Sequence, residues 1–305
     1  MKLIIRIFLR YKKSSNQRIG ASYNEKKHPI LTYLSKMSRQ FSMRGWVADD
    51  LINATVFKFH PVTSATRAVF YIHGGSFTAP TSPAHFRFCS ELAQALEAEI
   101  YIIEYEVAPK AKYPEIHMQC RETISEIISK EGHWSEIILA GDSAGAGIIP
   151  AIFSGLDPKV SSKVIASILM SPWIDYEGSS VSAKTRERID PWLNSHGINP
   201  VALQYFQSAE DVALAQASTR VSLDDQPPTL ISVGEQEILF SDAVDLFSTL
   251  LENGIWSSIY IGRSLWHVWP LFPIPERNDF IAEVVSFIDF VASSESNLNI
   301  EDEPN

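Results

Sequence analysis

The stretch from Ile137 to Gly145 has the sequence Ile-Ile-Leu-Ala-Gly-Asp-Ser-Ala-Gly, and it decides how this chain folds. Its first half is an apolar run typical of a buried strand, and a helix-like pattern begins after it. Between them lies Gly-x-Ser-x-Gly, centred on Ser143. This order is that of a nucleophile elbow, a sharp strand-to-helix turn that exposes a serine hydroxyl at the edge of a sheet. Glycines are required there because strand and helix approach too closely for a Cβ atom.

A second glycine-rich turn lies 70 residues before this serine. A strand-like run leads into His-Gly-Gly-Ser at residues 73–76. Acyl transfer at a serine requires backbone N–H donors directed at the developing oxyanion, and glycines let the main chain approach closely. In a fold with a nucleophile elbow, these donors come from such a loop and from the residue after the serine. We therefore expect the N–H groups of Gly75, Ser76 and Ala144 to form an oxyanion hole.

Together the two motifs resemble those of the hormone-sensitive-lipase-like carboxylesterases, whose signature is His-Gly-Gly-(Gly/Ala/Ser) followed by Gly-Asp-Ser-Ala-Gly. Further segments similar to motifs of that family lie at residues 104–110, 171–175, 190–193 and 227–230, so the resemblance covers roughly residues 45–290. It implies an α/β-hydrolase fold with a helical cap and the activity of a carboxylic ester hydrolase.

The order of elements agrees with that fold. Apolar, β-branched runs alternate with helix-length patterns along residues 46–292, which predicts a mostly parallel sheet with helices on both faces. The alternation is interrupted at about residues 176–225, where the family that this chain resembles has its inserted cap helices. We expect the basic residues 1–45 to form an N-terminal part of the cap and the acidic residues 293–305 to form a disordered tail.

A serine nucleophile requires a base within hydrogen-bond reach and an acid that fixes the tautomer of that base. In this fold the chain order is serine, acid, histidine, and of the eight histidines His267 alone follows the last predicted strand. The acid should follow the strand-like run at residues 230–233. Glu237 is favoured because the three residues that begin with it match the family's Asp-Pro-Leu. Glu235 and Asp242 remain open as alternatives.

Large aromatic side chains favour a narrow substrate pocket. Trp266 and Trp269 flank the predicted base, while Trp192 and Phe206 lie in the predicted cap. Rings near the base narrow the acyl pocket, which predicts small or short-chain acyl esters as substrates. The alternative, that these rings only pack the core and the cap, stays open.

Charge and cysteine content limit the partners. The net charge is −10, yet the first 44 residues carry eleven lysines and arginines against one acidic residue. Besides a cap, this basic segment is compatible with a weak membrane-surface contact through residues 1–20, but no motif accompanies it that would predict nucleic-acid binding. Two cysteines without a secretory signal favour a cytoplasmic location. The oligomeric state is open, with a dimer among the alternatives.

No cofactor and no metal are expected, because the chain has neither metal-ligand spacings nor a phosphate-binding or dinucleotide-binding fingerprint. Lactonase or amidase activity on the same three residues is the nearest alternative reaction. A non-catalytic small-molecule binder is the remaining alternative, although such a protein is expected to lack one of the three residues. The motifs therefore predict a serine carboxylesterase.

Overall fold

The computed structural model describes most of the chain from residue 44 onward and a few residues before it. The described residues are 2–3, 5–6, 9–10, 44–62, 64–178, 180–194, 202–221 and 225–301. Most of the predicted cap segment 1–45, and parts of the predicted cap 176–225, lie outside these ranges.

The described strands form a single sheet of eight, in the order β1-β2-β4-β3-β5-β6-β7-β8. The strands are β1 (Trp46–Asp50), β2 (Thr55–Phe59), β3 (Arg67–Ile72), β4 (Glu99–Glu104), β5 (Glu136–Asp142), β6 (Val164–Met170), β7 (Thr229–Gly234) and β8 (Ser257–Gly262). β1 and β2 pair antiparallel with each other, as do β2 and β4. All further pairs are parallel. Parallel neighbours require crossover connections, and helices supply them.

The described helices follow the strands along most of the chain. They are α1 (Pro83–Leu96), α2 (Glu115–Glu131), α3 (Ser143–Ser154), α4 (Pro158–Ser161), α5 (Val181–Arg186), α6 (Ala209–Val221), α7 (Phe240–Glu252) and α8 (Pro275–Glu301), with a 3₁₀ turn at Trp269–Leu271. Helices α5 and α6 interrupt the strand–helix alternation and lie within the segment that was predicted to be a cap.

Side chains alternate between the two faces of the sheet, as a period of two requires. In β3, Phe70 and Ile72 belong to a core cluster with buried residues of α2, α3 and α7. Val69 and Tyr71 belong to a second cluster with buried residues of α1 and α8. Both faces are therefore covered by helices, which confirms the predicted architecture. The loops after β5, β7 and β8 leave the sheet at the same edge because these strands are parallel.

The last helix is longer than the sequence analysis predicts. Helix α8 continues to Glu301, whereas residues 293–305 were expected to be a disordered tail. Apolar residues in the first part of this helix, such as Val284 and Ile288, are buried against the sheet. Once a helix has formed, each further residue adds a backbone hydrogen bond at little extra cost, so the polar end can extend from the packed part.

Some of the described residues of the basic N-terminal segment contact the rest of the chain. Leu9 is 1% exposed and belongs to the cluster beneath α8, Ile5 packs against that cluster, and Lys2 forms an ion pair with Glu276. A membrane contact through residues 1–20 stays a prediction. In the part of the chain that the structure describes, no helix has both the length and the hydropathy that crossing a bilayer requires.

Cys89 and Cys120 are buried free thiols. The cytoplasmic location that was predicted from the cysteine content stays a prediction.

Candidate active site

Three side chains at one edge of the sheet form a continuous hydrogen-bond chain. His267 Nε2 lies 2.9 Å from Ser143 Oγ, and His267 Nδ1 lies 2.6 Å from Glu237 Oε2. All three side chains are buried, Glu237 completely. A neutral imidazole that donates from Nδ1 to a carboxylate presents Nε2 as an acceptor for the serine proton. The structure thus brings together the three residues that the sequence predicts as nucleophile, base and acid.

The backbone at Ser143 has the strained geometry of an elbow. Ser143 follows β5 directly and begins α3 with φ of 51°, in the left-handed region that side chains other than glycine rarely adopt. A Cβ atom on Gly145 would lie 2.1 Å from the carbonyl oxygen of Ile72, and one on Gly147 would lie 2.0 Å from that of Trp173. Only glycine therefore allows α3 to approach the sheet this closely. The contact at Gly145 agrees with the predicted reason for the glycines of the motif.

The second oxygen of the Glu237 carboxylate is also bound. Glu237 Oε1 accepts hydrogen bonds from Ser171 Oγ (2.8 Å) and from the N–H of Gly234 (2.5 Å). Ser171 Oγ in turn accepts the N–H of Val268, the residue after His267 (3.0 Å). One serine hydroxyl therefore links the loop that carries the acid to the loop that carries the base. The sequence analysis missed Ser171, although this residue lies in a segment, residues 171–175, that resembles a motif of the family.

The two alternative acids lie elsewhere. Glu235 is exposed, and its carboxylate accepts a backbone N–H from the loop after β8 (2.7 Å). Asp242 is buried in the first turn of α7, where Oδ2 accepts the N–H groups of Ile174 (2.9 Å) and Asp175 (2.8 Å). Neither carboxylate has a hydrogen bond to His267, so the geometry favours Glu237.

The loop at residues 73–76 is tied to the elbow by a buried carboxylate. Asp142 Oδ1 accepts the N–H of Gly74 (2.9 Å) and the hydroxyl of Tyr71 (2.8 Å). A Cβ atom on Gly74 would lie 2.3 Å from Asp142 Oδ2, so the close approach requires glycine. Gly75 and Ser76 follow with φ of 108° and 56°. The residue before the nucleophile therefore orients the loop that carries two of the predicted oxyanion donors.

The third predicted donor, Ala144, lies in the first turn of α3, next to the nucleophile. The N–H groups in the first turn of a helix have no partner within the helix and carry partial positive charge. This N–H group is therefore available to an oxyanion that forms at the serine.

Electrostatics around the elbow support a charged Asp142. Burial by itself would raise the pKa of Asp142, but His85, at 3.2 Å from Oδ1, and the donors Gly74 and Tyr71 hold it below its ordinary value. His73 has a different environment. Burial is the main cause that lowers the pKa of His73, and its ring stacks on Tyr105 with centroids 4.2 Å apart. This placement makes His73 a structural part of the loop.

The predicted pocket aromatics separate into two groups. The ring of Trp192 meets His267 edge-on, with centroids 5.6 Å apart, and Phe206 is packed among buried tyrosines of the cap side. Trp266 and Trp269 have no exposed surface, because both are packed in the core cluster beside α8. Their placement differs from the predicted pocket lining, since a ring without accessible surface offers a substrate no contact.

Polar groups around the nucleophile are bonded mainly to one another and to backbone N–H groups. Within the described ranges, no three histidine, cysteine, aspartate or glutamate side chains converge as metal ligands would. The residues therefore offer hydrogen-bond donors, a proton acceptor and a hydroxyl nucleophile.

Comparisons with known proteins agree with this geometry. A family described as alpha/beta hydrolase fold matches residues 69–271. The chain belongs to this family. An esterase of Acinetobacter venetianus is 26% identical over 231 residues, which cover 73% of this chain and 75% of that protein. An acetyl-hydrolase of Streptomyces hygroscopicus is 26% identical over 221 residues, 71% of this chain and 74% of that protein.

Solved structures show the same fold. EstE5, in a crystal soaked with ethyl alcohol, superposes with a TM-score of 0.76 at 23% identity over 95% of this chain and 97% of that one. An esterase from the bacterial hormone-sensitive lipase family gives a TM-score of 0.75 at 21% identity, over 94% and 96% of the two chains. The comparisons confirm the predicted α/β-hydrolase fold and the predicted enzyme class, a carboxylic ester hydrolase.

The identity of the acid can be tested by three isosteric substitutions. We expect Glu237→Gln to lower kcat roughly 10³- to 10⁴-fold, because the amide cannot stabilise a protonated His267 and disturbs its tautomer. Glu235→Gln and Asp242→Asn should each stay within about fivefold of the wild type, since neither carboxylate contacts the base. Steady-state kinetics on one ester decide the question. If Asp242→Asn were the most damaging of the three, the assignment of the acid would be wrong.

Asp242 also predicts a pH dependence of stability. Burial is the largest cause that raises the pKa of Asp242 from 3.8 to about 7, although two backbone N–H donors lower it in part. The folded state therefore binds this proton more tightly than the unfolded state. The contribution of this tighter proton binding to the free energy of unfolding is fully present below about pH 4 and is lost as the pH rises to about 7.

We therefore expect the Tm of Asp242→Asn minus the Tm of the wild type to increase as the pH rises from 5 to about 7 and to stay constant above that range. The amide oxygen still accepts both backbone N–H groups, so the variant removes only the titration. Thermal unfolding at several pH values measures it. Glu252→Gln, at the exposed end of α7, is the control. A difference that does not change with pH would contradict the expected titration.

Proposed function

We propose that this protein hydrolyses small or short-chain carboxylic esters, with Ser143 as the nucleophile, His267 as the base and Glu237 as the acid that orients the base. The observation that carries the proposal is the unbroken hydrogen-bond chain from Ser143 Oγ through His267 to Glu237. It is the arrangement in which a serine hydroxyl, weakly nucleophilic by itself, becomes reactive.

In the first step Ser143 Oγ attacks the ester carbonyl carbon, and its proton moves to His267 Nε2. The carboxylate of Glu237 stabilises the imidazolium that forms. The carbonyl oxygen becomes an oxyanion and is held by the N–H groups of Gly75, Ser76 and Ala144. In comparable sites the loss of one such donor costs about 3 kcal/mol of transition-state stabilisation.

Collapse of the tetrahedral intermediate releases the alcohol, which takes the proton from His267, and leaves an acyl group on Ser143. A water molecule then gives a proton to the same imidazole and attacks the acyl carbon. The second intermediate collapses to a carboxylic acid, and the serine regains its proton. The reaction consumes one water and requires no cofactor.

A small acyl group fits the aromatic surroundings. The edge of Trp192 lies against the base, and Phe206 is packed with Tyr176 (4.9 Å between ring centroids) and Tyr205 (4.5 Å). A rigid ring beside the base, here that of Trp192, limits the space for an acyl chain. The similarity to a protein named an acetyl-hydrolase supports the same size class. We propose that acetyl to hexanoyl esters are the preferred substrates.

The nucleophile is tested by Ser143→Ala. We expect turnover to fall by about 10⁴ or more, because the hydroxyl forms the covalent bond and other groups cannot replace it. Circular dichroism should be unchanged, since the hydroxyl contributes little packing. Ser286→Ala, on the exposed side of α8, serves as the control for a serine-to-alanine change. A Ser143→Ala protein that kept more than a few per cent of wild-type turnover would contradict the proposal.

The acyl preference is tested with p-nitrophenyl esters from acetyl to palmitoyl. We expect kcat/KM to be highest at or below about six to eight acyl carbons, because longer chains meet the aromatic rings. Trp192→Ala should move the optimum to longer chains if this ring limits the pocket. An optimum at about twelve or more carbons in the wild type is the result that excludes a short-chain esterase.

A further inference from the structure

Asp190 is a buried carboxylate in the cap segment, and it is not part of the hydrogen-bond chain described above. Its side chain is 3% exposed. Asp190 Oδ1 accepts the N–H groups of Trp192 (2.7 Å) and Leu193 (2.9 Å), and Oδ2 accepts the N–H of Ile238 (2.9 Å). Three N–H donors that face both oxygens suit a charged carboxylate better than a protonated one. The group therefore joins the cap to the loop after β7.

Both segments that Asp190 joins lead directly to the triad. Ile238 is the residue after Glu237, so its backbone moves with the acid. Trp192 lies with its ring edge against His267. Any shift of Asp190 is thus transmitted to the acid through the backbone and to the base through a ring contact.

The bond to Ile238 requires a residue with a backbone N–H at that position. Ile238 stands where the family's Asp-Pro-Leu has proline, and proline has no backbone N–H. The donor exists because isoleucine occupies the position. A second contact strengthens the same junction, since Arg186 donates to the carbonyl of Glu235 and lies over the ring of Phe240 at 3.9 Å.

We propose that Asp190 is a positioning residue of the triad: it fixes the backbone of the acid and the ring beside the base, and it holds a second negative charge near His267. The inference rests on the proposed function, because it assigns a role relative to the same base. Burial raises the pKa of Asp190, while its backbone donors and the imidazole of His267 act in the opposite direction. The charge of the base and that of Asp190 therefore influence each other.

Several polar or charged groups of the described residues face this region. Ser143 and Glu237 contact His267 directly, and Asp190 faces it from the cap. Arg186 lies on the far side of the acid loop, and Arg6 donates to Gln236 in the same loop. Removal of the Asp190 charge takes one negative charge from the surroundings of the base, so protonation of the base becomes harder.

The decisive variant is Asp190→Asn, which keeps the shape but removes the charge and turns one acceptor into a donor. We expect kcat/KM for p-nitrophenyl acetate to fall about tenfold or more. The downfield ¹H NMR resonance of the proton between His267 and Glu237, followed against pH, should titrate about one pH unit lower than in the wild type. An unchanged NMR midpoint with a lower Tm alone would show a merely structural residue and overturn the proposal.

Asp175→Asn is the matched control. Asp175 also accepts backbone N–H groups, from Glu177 and Gly178 (3.1 Å each), and neither donor belongs to the acid loop. It should lower Tm without moving the NMR midpoint. The NMR titration does not require turnover. A wild type that hydrolyses no ester would therefore contradict the proposed function, while the shift of the midpoint still tests Asp190.

Ile238→Pro separates position from charge and also serves if Asp190→Asn does not fold. Proline removes the N–H that donates to Asp190 but keeps the carboxylate and its bonds to Trp192 and Leu193. We expect kcat to fall severalfold with little change in KM and an unchanged NMR midpoint. Wild-type kcat in this variant would show that the bond does not position the acid, and the proposal would fail.

Discussion

The close approach of α3 to the sheet is the constraint on which the site depends. With hydrogen in place of a side chain, Gly145 lies against the carbonyl of Ile72, and Gly147 lies against that of Trp173. This contact forces the turn at Ser143 into the left-handed region and lifts its hydroxyl above the edge of the sheet. It also brings the end of β3, and with it the loop of the predicted oxyanion donors, next to the nucleophile.

Buried carboxylates hold the loops around this turn. Asp142 binds the loop after β3, Glu237 binds Ser171 and the end of β7, and Asp242 binds the loop after β6. Asp190 binds the cap to the loop of the acid. A buried charge is tolerated only when hydrogen bonds replace its lost hydration, and loops supply such N–H groups because their backbone is not paired in the sheet. The same bonds that satisfy each carboxylate therefore fix the geometry of the site.

The sequence was sufficient to predict Ser143 and His267 and to favour Glu237 as the acid. Their motifs and chain order follow from the fold, and the structure brings the three side chains into contact. Ser171 and Asp190 were not recognised, because their partners lie 66 and 48 residues away along the chain. Both residues lie in segments that resemble motifs of the family, but the local sequence does not say which distant loop each side chain contacts. Their roles depend on which loops meet at the edge of the sheet.

The tryptophans next to His267 in the sequence show that proximity in sequence does not predict which rings line the site. Trp266 and Trp269 are its close neighbours in sequence, but Val268 between them has φ of 44°, and both rings are packed in the core. The sequence by itself determined the strand–helix alternation and the glycine positions at the elbow, because these depend on residues a few positions apart. The order of nucleophile, acid and base followed from the fold that these features predict. Only the tertiary structure decided which of three carboxylates meets the base and which rings stay near it. Those choices depend on burial and on hydrogen bonds between distant segments, which select among residues that look alike in the sequence.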